Sequence, residues 1–303
     1  MMDDMAMGGT DYGHLWHLAV MLFLNGLSQA SHMFLLALGL SLVFGVMRIL
    51  NLAHGALHIF GVYAALTVLA YWSNWWVALV LGPLVVAGVG ALMETTLLRP
   101  MYRRHPTYVL ILTFGAILVF YDLFRLGWGV EYQLLPEPAL VGGATDVFGV
   151  IYPTFYLFSI AIAVVVGLLV WAFLELTRPG RLIRAAAEDR EMAAAVGINV
   201  PLVYTAVFAM GSFLTAFGGV LMGTIMAISP AEAFHTMLHA FAVVVIGGLG
   251  SLSGAALGAF LVGQVNAFGL LLAPEWEIAF MFLLMAIVLV LRPHGLLGRE
   301  LQA

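Results

Sequence analysis

Apolar residues run along this chain in long stretches that are cut by short clusters of charge, proline and glycine. The stretches lie near 15–47, 52–72, 75–98, 107–127, 151–176, 201–228, 236–247, 254–273 and 277–291. Most approach or exceed the roughly 20 apolar residues that a helix needs to cross a bilayer. The first stretch is long for one crossing and 236–247 is short for one. The pattern therefore predicts seven to nine crossings, some of them discontinuous. The fold expected is all-α, a polytopic helical bundle in a membrane. A transmembrane barrel would show apolar and polar residues in alternation, and this chain does not. No domain boundary is visible, so 1–303 reads as a single transmembrane domain.

Composition agrees with the pattern. Of 303 residues 63% are hydrophobic and 9% charged, against about 25% charged in a soluble domain. A soluble fold is excluded. All 11 basic residues are arginine. Without lysine there is no Walker phosphate lysine and no Schiff-base lysine, so the chain cannot drive work through a P-loop of its own. The chain contains no cysteine, hence no disulfide, thiolate nucleophile or cysteine-bound cluster. A net charge of −5 argues against nucleic-acid binding. Asp3, Asp4 and Asp11 stand where a cleaved signal would carry a basic region, so the first apolar segment is expected to stay.

The connections alternate in charge. Arg99, Arg103 and Arg104 mark one, Arg178, Arg181, Arg184 and Arg190 the next, and Arg292 and Arg299 the last. With Arg48 these fall on one side, and only Arg125 lies near the other. Arginine-rich connections face the cytoplasm, which places the N-terminus outside and the C-terminus inside. Six tryptophans, Trp16, Trp72, Trp75, Trp76, Trp128 and Trp276, then sit near the outer interface, where indole is favoured. The longest outer connection, about 128–150, either packs over an outer vestibule or is an ordinary solvated loop.

Chemistry within the spans is sparse. Glu94 and Glu175 lie at cytoplasmic ends, and Asp122 has Arg125 three residues on, a spacing that permits a structural ion pair. The span centres look empty of carboxylates, which disfavours ion-coupled transport. His54 and His58, like His235 and His239, stand four residues apart on one helix face. No H-E-x-x-H accompanies them, so they are expected as buried, hydrogen-bonded or interfacial histidines and not as metal ligands. The Ser251 neighbourhood lacks the spacing of a nucleophile elbow. No catalytic residue, metal or cofactor is expected.

Three stretches stand out. In Gly45–Gly55, Gly, Arg48, Asn51 and His54 interrupt an apolar run. This is either a tight inner-side turn capped by Asn51 or a discontinuous element lining a solute path, since broken backbone at membrane depth must face protein or water. In Val243–Gly258, Gly247, Gly248, Gly250 and Ser251 form a glycine-rich break. Gly254 and Gly258 follow at a spacing that lets helices approach closely. Gly55-Ala56-Leu57 and Gly254-Ala255-Ala256-Leu257 each open a helix after a break, in the manner of an internal repeat. Between 177 and 200, alanines and charged helix formers lead to Gly197 and Pro201. The stretch predicts about three turns of cytoplasmic helix, either a surface linker or a docking helix for a soluble partner.

Together these stretches resemble the LivH-type permease subunits of bacterial branched-chain amino-acid ABC importers. The matching residues are Asn51-Leu52-Ala53-His54-Gly55, Arg184-Ala185-Ala186-Ala187 through Gly197-Ile198-Asn199, Gly247 through Ala255, and Arg292-Pro293-His294-Gly295-Leu296-Leu297-Gly298. The resemblance covers nearly the whole chain. It departs at Leu52, where phenylalanine is usual, at His58, where an apolar or aromatic residue is expected, and at Ser253, where proline is common.

The resemblance implies a permease half in a bacterial inner membrane, in contact with lipid. Its partners would be a second, LivM-like permease, two cytoplasmic ABC ATPase subunits and an extracytoplasmic solute-binding protein. The chain would not be an enzyme, and it would move branched-chain or related amino acids by alternating access. Asn51, His54, Gly55, Gly247, Gly248, Gly250, Ser251 and Gly254 are the expected pathway residues, with Arg184, Glu188, Glu191 and Gly197 coupling to the ATPases. The alternative is a self-sufficient channel or facilitator for a small neutral solute such as urea or an amide, with the glycine breaks as its filter.

Overall fold

The structure, a computed structural model, describes residues 10–102 and 104–298. Asp3, Asp4, Arg103 and Arg299 therefore lie outside the described residues. The order of helices is α1 Thr10–Met47, α2 His54–Trp72, α3 Trp75–Met93, α4 Pro106–Trp128, α5 Thr154–Leu176, α6 Arg178–Glu188, α7 Arg190–Ala195, α8 Val200–Ile225, α9 Glu232–Gly247, α10 Leu252–Leu272 and α11 Glu277–Leu291. Among the described residues eight helical segments are long and apolar enough to cross a membrane, within the seven to nine expected. The ninth apolar segment, α9, has 16 residues, about 24 Å at the helical rise.

Helix starts follow local capping chemistry. Asn74 accepts from Trp76 N and Val77 N at the head of α3. Thr177 accepts from Gly180 N to open α6, and Asn199 accepts from Leu202 N to open α8, with Pro201 in its first turn. These side chains satisfy amides that the helix itself cannot.

Helices α1 and α8 are central. Their apolar windows are 83% and 78% buried, against 22% for α4 and α5 and 11% for the segment ending in α11, whose exposed faces are left to lipid or a partner. Lipid supplies no hydrophobic drive for helix association, so close packing must. Gly39 of α1 lies on the backbone of Gly211 in α8, Gly61 of α2 on Ala216, Gly219 of α8 on the His58 carbonyl, and Gly263 of α10 on the Gly26 carbonyl.

Four local expectations change. Helix α1 runs unbroken to Met47, and the interruption is confined to 48–53. Helix α5 starts at Thr154 because Val150–Pro153 pairs antiparallel with Ala144–Val147 as a hairpin, β1 and β2. The connection before it is tied down: Gln133 and Ile228 exchange two 2.8 Å backbone hydrogen bonds, and Leu135 N donates to Gly223 O. It packs over the end of α8. The 177–200 stretch holds two helices, since Asp189 leaves helical geometry (φ −144°) and accepts from Glu191 N and Met192 N to start α7. Of the outer tryptophans, Trp75 turns inward, buried, with Nε1 donating to Thr224.

Candidate solute pathway

A cavity of about 610 Å³ opens among α1, α2, α5, α8, α9, α10 and α11. It uses the middle of α1 from Leu22 to Leu36, His58 near the start of α2, the C-terminal ends of α8 and α10, and the first residue of α11. The ends of α8 and α10 and the start of α11 lie away from the arginine-bearing connections. Asn25, Ser28, Gln29 and His32 of α1 and His58 of α2 form its deep polar wall, with Glu232, His235 and His239 of α9 and Glu277 of α11. Leu22, Met33, Leu36, Met222 and Ile225 supply an apolar wall. His32 and His58 are buried, and Gln29 Oε1, His32 Nδ1 and His58 Nε2 have no hydrogen-bond partner. Buried polar atoms are normally paired, so these three unmet atoms depart from the usual packing.

Sequence reasoning missed this wall. His32 and Gln29 interrupt the apolar run of α1 three residues apart, a spacing that puts both on one helix face. That was the available signal. His58 and His54 line different voids, and His239 Nδ1 bonds the His235 carbonyl at 2.9 Å. Among the described residues no three histidines or carboxylates gather at metal-binding distance.

The residues expected to line the path lie elsewhere, in a tightly packed layer on the arginine-bearing side. Asn51 Oδ1 accepts from Ala53 N at 3.0 Å, while its Nδ2 bonds His54 Nδ1 at 2.8 Å. Gly55 rests on the backbone of Ala233 and Met237 at the head of α9. Asn51, His54 and Gly55 border a void of only about 10 Å³, about the least that holds one water. Gly248 (φ +109°) and Gly250 (φ +77°) adopt backbone that disfavours a side chain. Gly248 lies against Gly295 and Gly298, and Gly250 against Gly45. Leu296 N and Leu297 N donate to Ile246 O and Gly247 O at 2.9 Å. Ser251 caps α10 through Gly254 N, and Gly254 packs on Gly247. Three of the sequence motifs thus meet in one glycine-rich knot.

On the arginine-rich side, α6 and α7 pack on the bundle through Ile183, Ala186 and Ala193 and leave their other faces open. Glu188, Glu191 and Gly197 are exposed, and so are Leu182, Met192 and Val196. Gly197 closes α7 with φ +89°, the left-handed C-terminal geometry expected for it. Arg184 is engaged within the chain, paired with Glu175.

Beside them lies a cluster that sequence reasoning placed only as a helix end. Glu94 is fully buried at the start of a π turn, Glu94–Leu98. It accepts from Arg99 (2.9 Å), Tyr102 (2.5 Å) and Thr205 (2.7 Å). Burial, and next the bond to Glu94, hold the Tyr102 hydroxyl above the usual tyrosine range. Asp122 and Arg125, by contrast, form an exposed pair at 3.5 Å.

Comparison with known proteins agrees with this architecture. Residues 22–289 match the family described as branched-chain amino acid transport system / permease component. The high-affinity branched-chain amino acid transport system permease protein BraD of Pseudomonas aeruginosa is 31% identical over 291 residues, spanning 91% of this chain and 94% of that one. The corresponding LivH of Escherichia coli is 29% identical over 289 residues, with the same shares. The probable LivH of Methanocaldococcus jannaschii is 27% identical over 282 residues, 87% of this chain and 88% of that one. With a match across nearly all the spans, the chain is a multi-pass membrane protein and belongs to the branched-chain amino acid transport system permease family.

Proposed function

We propose that this chain is the permease subunit of an ATP-driven importer for branched-chain or related amino acids, set in the inner membrane with its N-terminus outside. The observation that carries the reading is the pairing of a roomy cavity, apolar with one polar wall, with a closed glycine knot. The cavity lies on the side opposite the arginines, and the knot lies on the arginine side. That is an outward-open arrangement. An extracytoplasmic binding protein delivers solute to the cavity. The layer formed by Asn51, His54, Gly55, Gly247, Gly248, Gly250, Ser251 and Gly254 must part for solute to leave inward. The whole chain, 1–303, acts as one permease domain, with 177–200 as its docking loop.

Energy comes from two cytoplasmic ABC ATPase subunits, since this chain has no lysine for a P-loop. They dock on α6 and α7, where exposed Leu182, Met192 and Val196 offer apolar contact beside Glu188 and Glu191. A second, LivM-like permease covers the exposed faces on the other half of the pathway.

The test is recovery of the tagged chain from its native membranes in mild detergent, followed by reconstitution. The expected result is co-purification of a P-loop ATPase and a second polytopic permease, with leucine uptake that requires ATP and the binding protein. Flux of a small neutral solute through the purified chain alone, without ATP, would establish the facilitator instead.

A further inference from the structure

Glu94 is a carboxylate with no exposed surface, and its two oxygens receive four hydrogen bonds. Oε1 accepts from the Tyr102 hydroxyl at 2.5 Å and from Arg99 Nε at 3.3 Å, Oε2 from the Thr205 hydroxyl at 2.7 Å and from an Arg99 terminal nitrogen at 2.9 Å. Taking a carboxylate out of water is expensive, and well-packed apolar residues of similar volume often serve stability as well or better. Stability alone is therefore a weak reason for the cluster, and a fixed register between two elements is a stronger one. Glu94, Arg99 and Tyr102 lie on the tail of α3 and the turns that follow it, whereas Thr205 lies on α8. The cluster is thus a clamp between α3 and α8. Arg99 adds a 3.4 Å bond to the Pro201 carbonyl in the first turn of α8, and the Tyr102 ring meets Tyr204 edge-on with centroids 5.5 Å apart. Further into the membrane Gly90 of α3 lies against Ser212 of α8, so the clamp closes one end of a continuous seam.

We propose that Glu94 is a positioning residue for energy coupling: its clamp makes the ends of α3 and α8 move as one body with the α6–α7 segment, so that displacement by the ATPases reaches the cavity and is not dissipated at the arginine-bearing end. Ile183 and Ala186 of α6 and Ala193 of α7 are buried in the same apolar cluster as Leu98, Val200 and Tyr204. Docking segment and clamp therefore share one packed core, and packed cores shift between discrete arrangements more readily than they deform. Helix α8 has 26 residues, about 39 Å at the helical rise. Its far end carries Met222 and Ile225 into the cavity. The inference rests on the reading of α6 and α7 as the docking segment and adds the element that receives their motion.

The test uses the assembled complex in liposomes, with leucine as the probe, and reads leucine taken up per ATP hydrolysed. Thr205→Val keeps the shape of the side chain and removes the hydroxyl that joins α8 to Glu94. It is expected to lower the ratio about tenfold, the effect of losing one hydrogen bond to a charged group, with the yield of complex as in wild type. Glu94→Gln, which keeps the shape and removes the charge, should lower it in the same direction, and Thr205→Ser, which keeps the hydroxyl, should restore it. Ser159→Ala is the structural control. It removes another buried bond between helices, to Ser31 at 2.8 Å, in the outer part of α5, and should leave the ratio unchanged. An unchanged ratio in Thr205→Val and Glu94→Gln, or an equal fall in Ser159→Ala, overturns the proposal. If Gly197→Ala uncouples while Thr205→Val does not, the clamp falls and the docking segment stands; if neither uncouples, both fall.

Discussion

The Thr205 hydroxyl, in the second turn of α8, donates to Oε2 of Glu94 across a 2.7 Å hydrogen bond that joins α8 to the end of α3. Arg99 closes the same junction, donating to Glu94 Oε2 at 2.9 Å and to Thr205 Oγ1 at 2.6 Å. The α6–α7 segment enters α8 directly through Asn199 and Val200. That segment therefore leads straight into a junction fixed by one buried carboxylate. The π turn beginning at Glu94 is the sort of helical irregularity that recurs where geometry serves function.

Glu94→Ala leaves the Tyr102 and Thr205 hydroxyls facing a gap and should destabilise the chain by about 2 kcal/mol. Glu94→Gln keeps the shape and should cost less. Thermal unfolding in detergent measures both. The raised Tyr102 value gives the sign of the pH effect. A folded value above the unfolded one, about 10, means that its contribution is complete below that pH and is lost only as pH rises through the folded value. The midpoint gap between wild type and Tyr102→Phe should therefore stay constant from about pH 6 to 9.

Gly219 lies so close to the carbonyl of His58 that an added methyl has no room. Backbone cannot yield as a flexible side chain does, and overpacking of this kind costs about 1–3 kcal/mol. Gly219→Ala should lower the unfolding temperature. Gly115→Ala, where nothing lies within 4 Å, is the control and should leave it unchanged.

Helix positions were legible in the sequence because a bilayer demands length and apolarity, and those are local properties. Breaks at 48–53 and 248–251 were legible too, since Gly, Asn and Arg interrupt apolar runs there. What those breaks pack against was not. Gly248 meets Gly295 and Gly298, and no local pattern encodes a partner 47 residues away. The cavity was hidden for the same reason. His32, His58 and His239 sit on three helices, and only the bundle places them around one space. Asp189 was read as a helix former, whereas its carboxylate competes for the amides of Glu191 and Met192 and starts a new helix.

Asn51 joins two partners of opposite sense. Its oxygen accepts from Ala53 N and its nitrogen donates to His54 Nδ1, which leaves His54 with its proton on Nε2. Asn51→Leu removes both bonds and leaves the Ala53 amide and His54 Nδ1 unmet, so the 48–53 turn should loosen by about 1–2 kcal/mol. The expected outcome is slower uptake with normal assembly, read by comparing transport rates with complex yield. Unchanged uptake would leave the segment as a turn only.

Gly197 separates two explanations of the docking loop. Its φ of +89° and the open space around it mean that a substitution there suffers from backbone strain and not from a clash. Alanine in this conformation costs about 1–2 kcal/mol, while asparagine tolerates it. If the corner between α7 and α8 sets how the ATPases engage, Gly197→Ala should reduce uptake several-fold while ATP hydrolysis by the reconstituted complex persists, and Gly197→Asn should transport nearly as wild type. A bulky residue at Glu191, whose side chain is exposed, should uncouple in the same way by obstructing the contact and leaving the backbone unchanged. Normal uptake in Gly197→Ala and Glu191→Trp alike would make 177–200 a surface linker and place the ATPase contact elsewhere on the arginine-rich face.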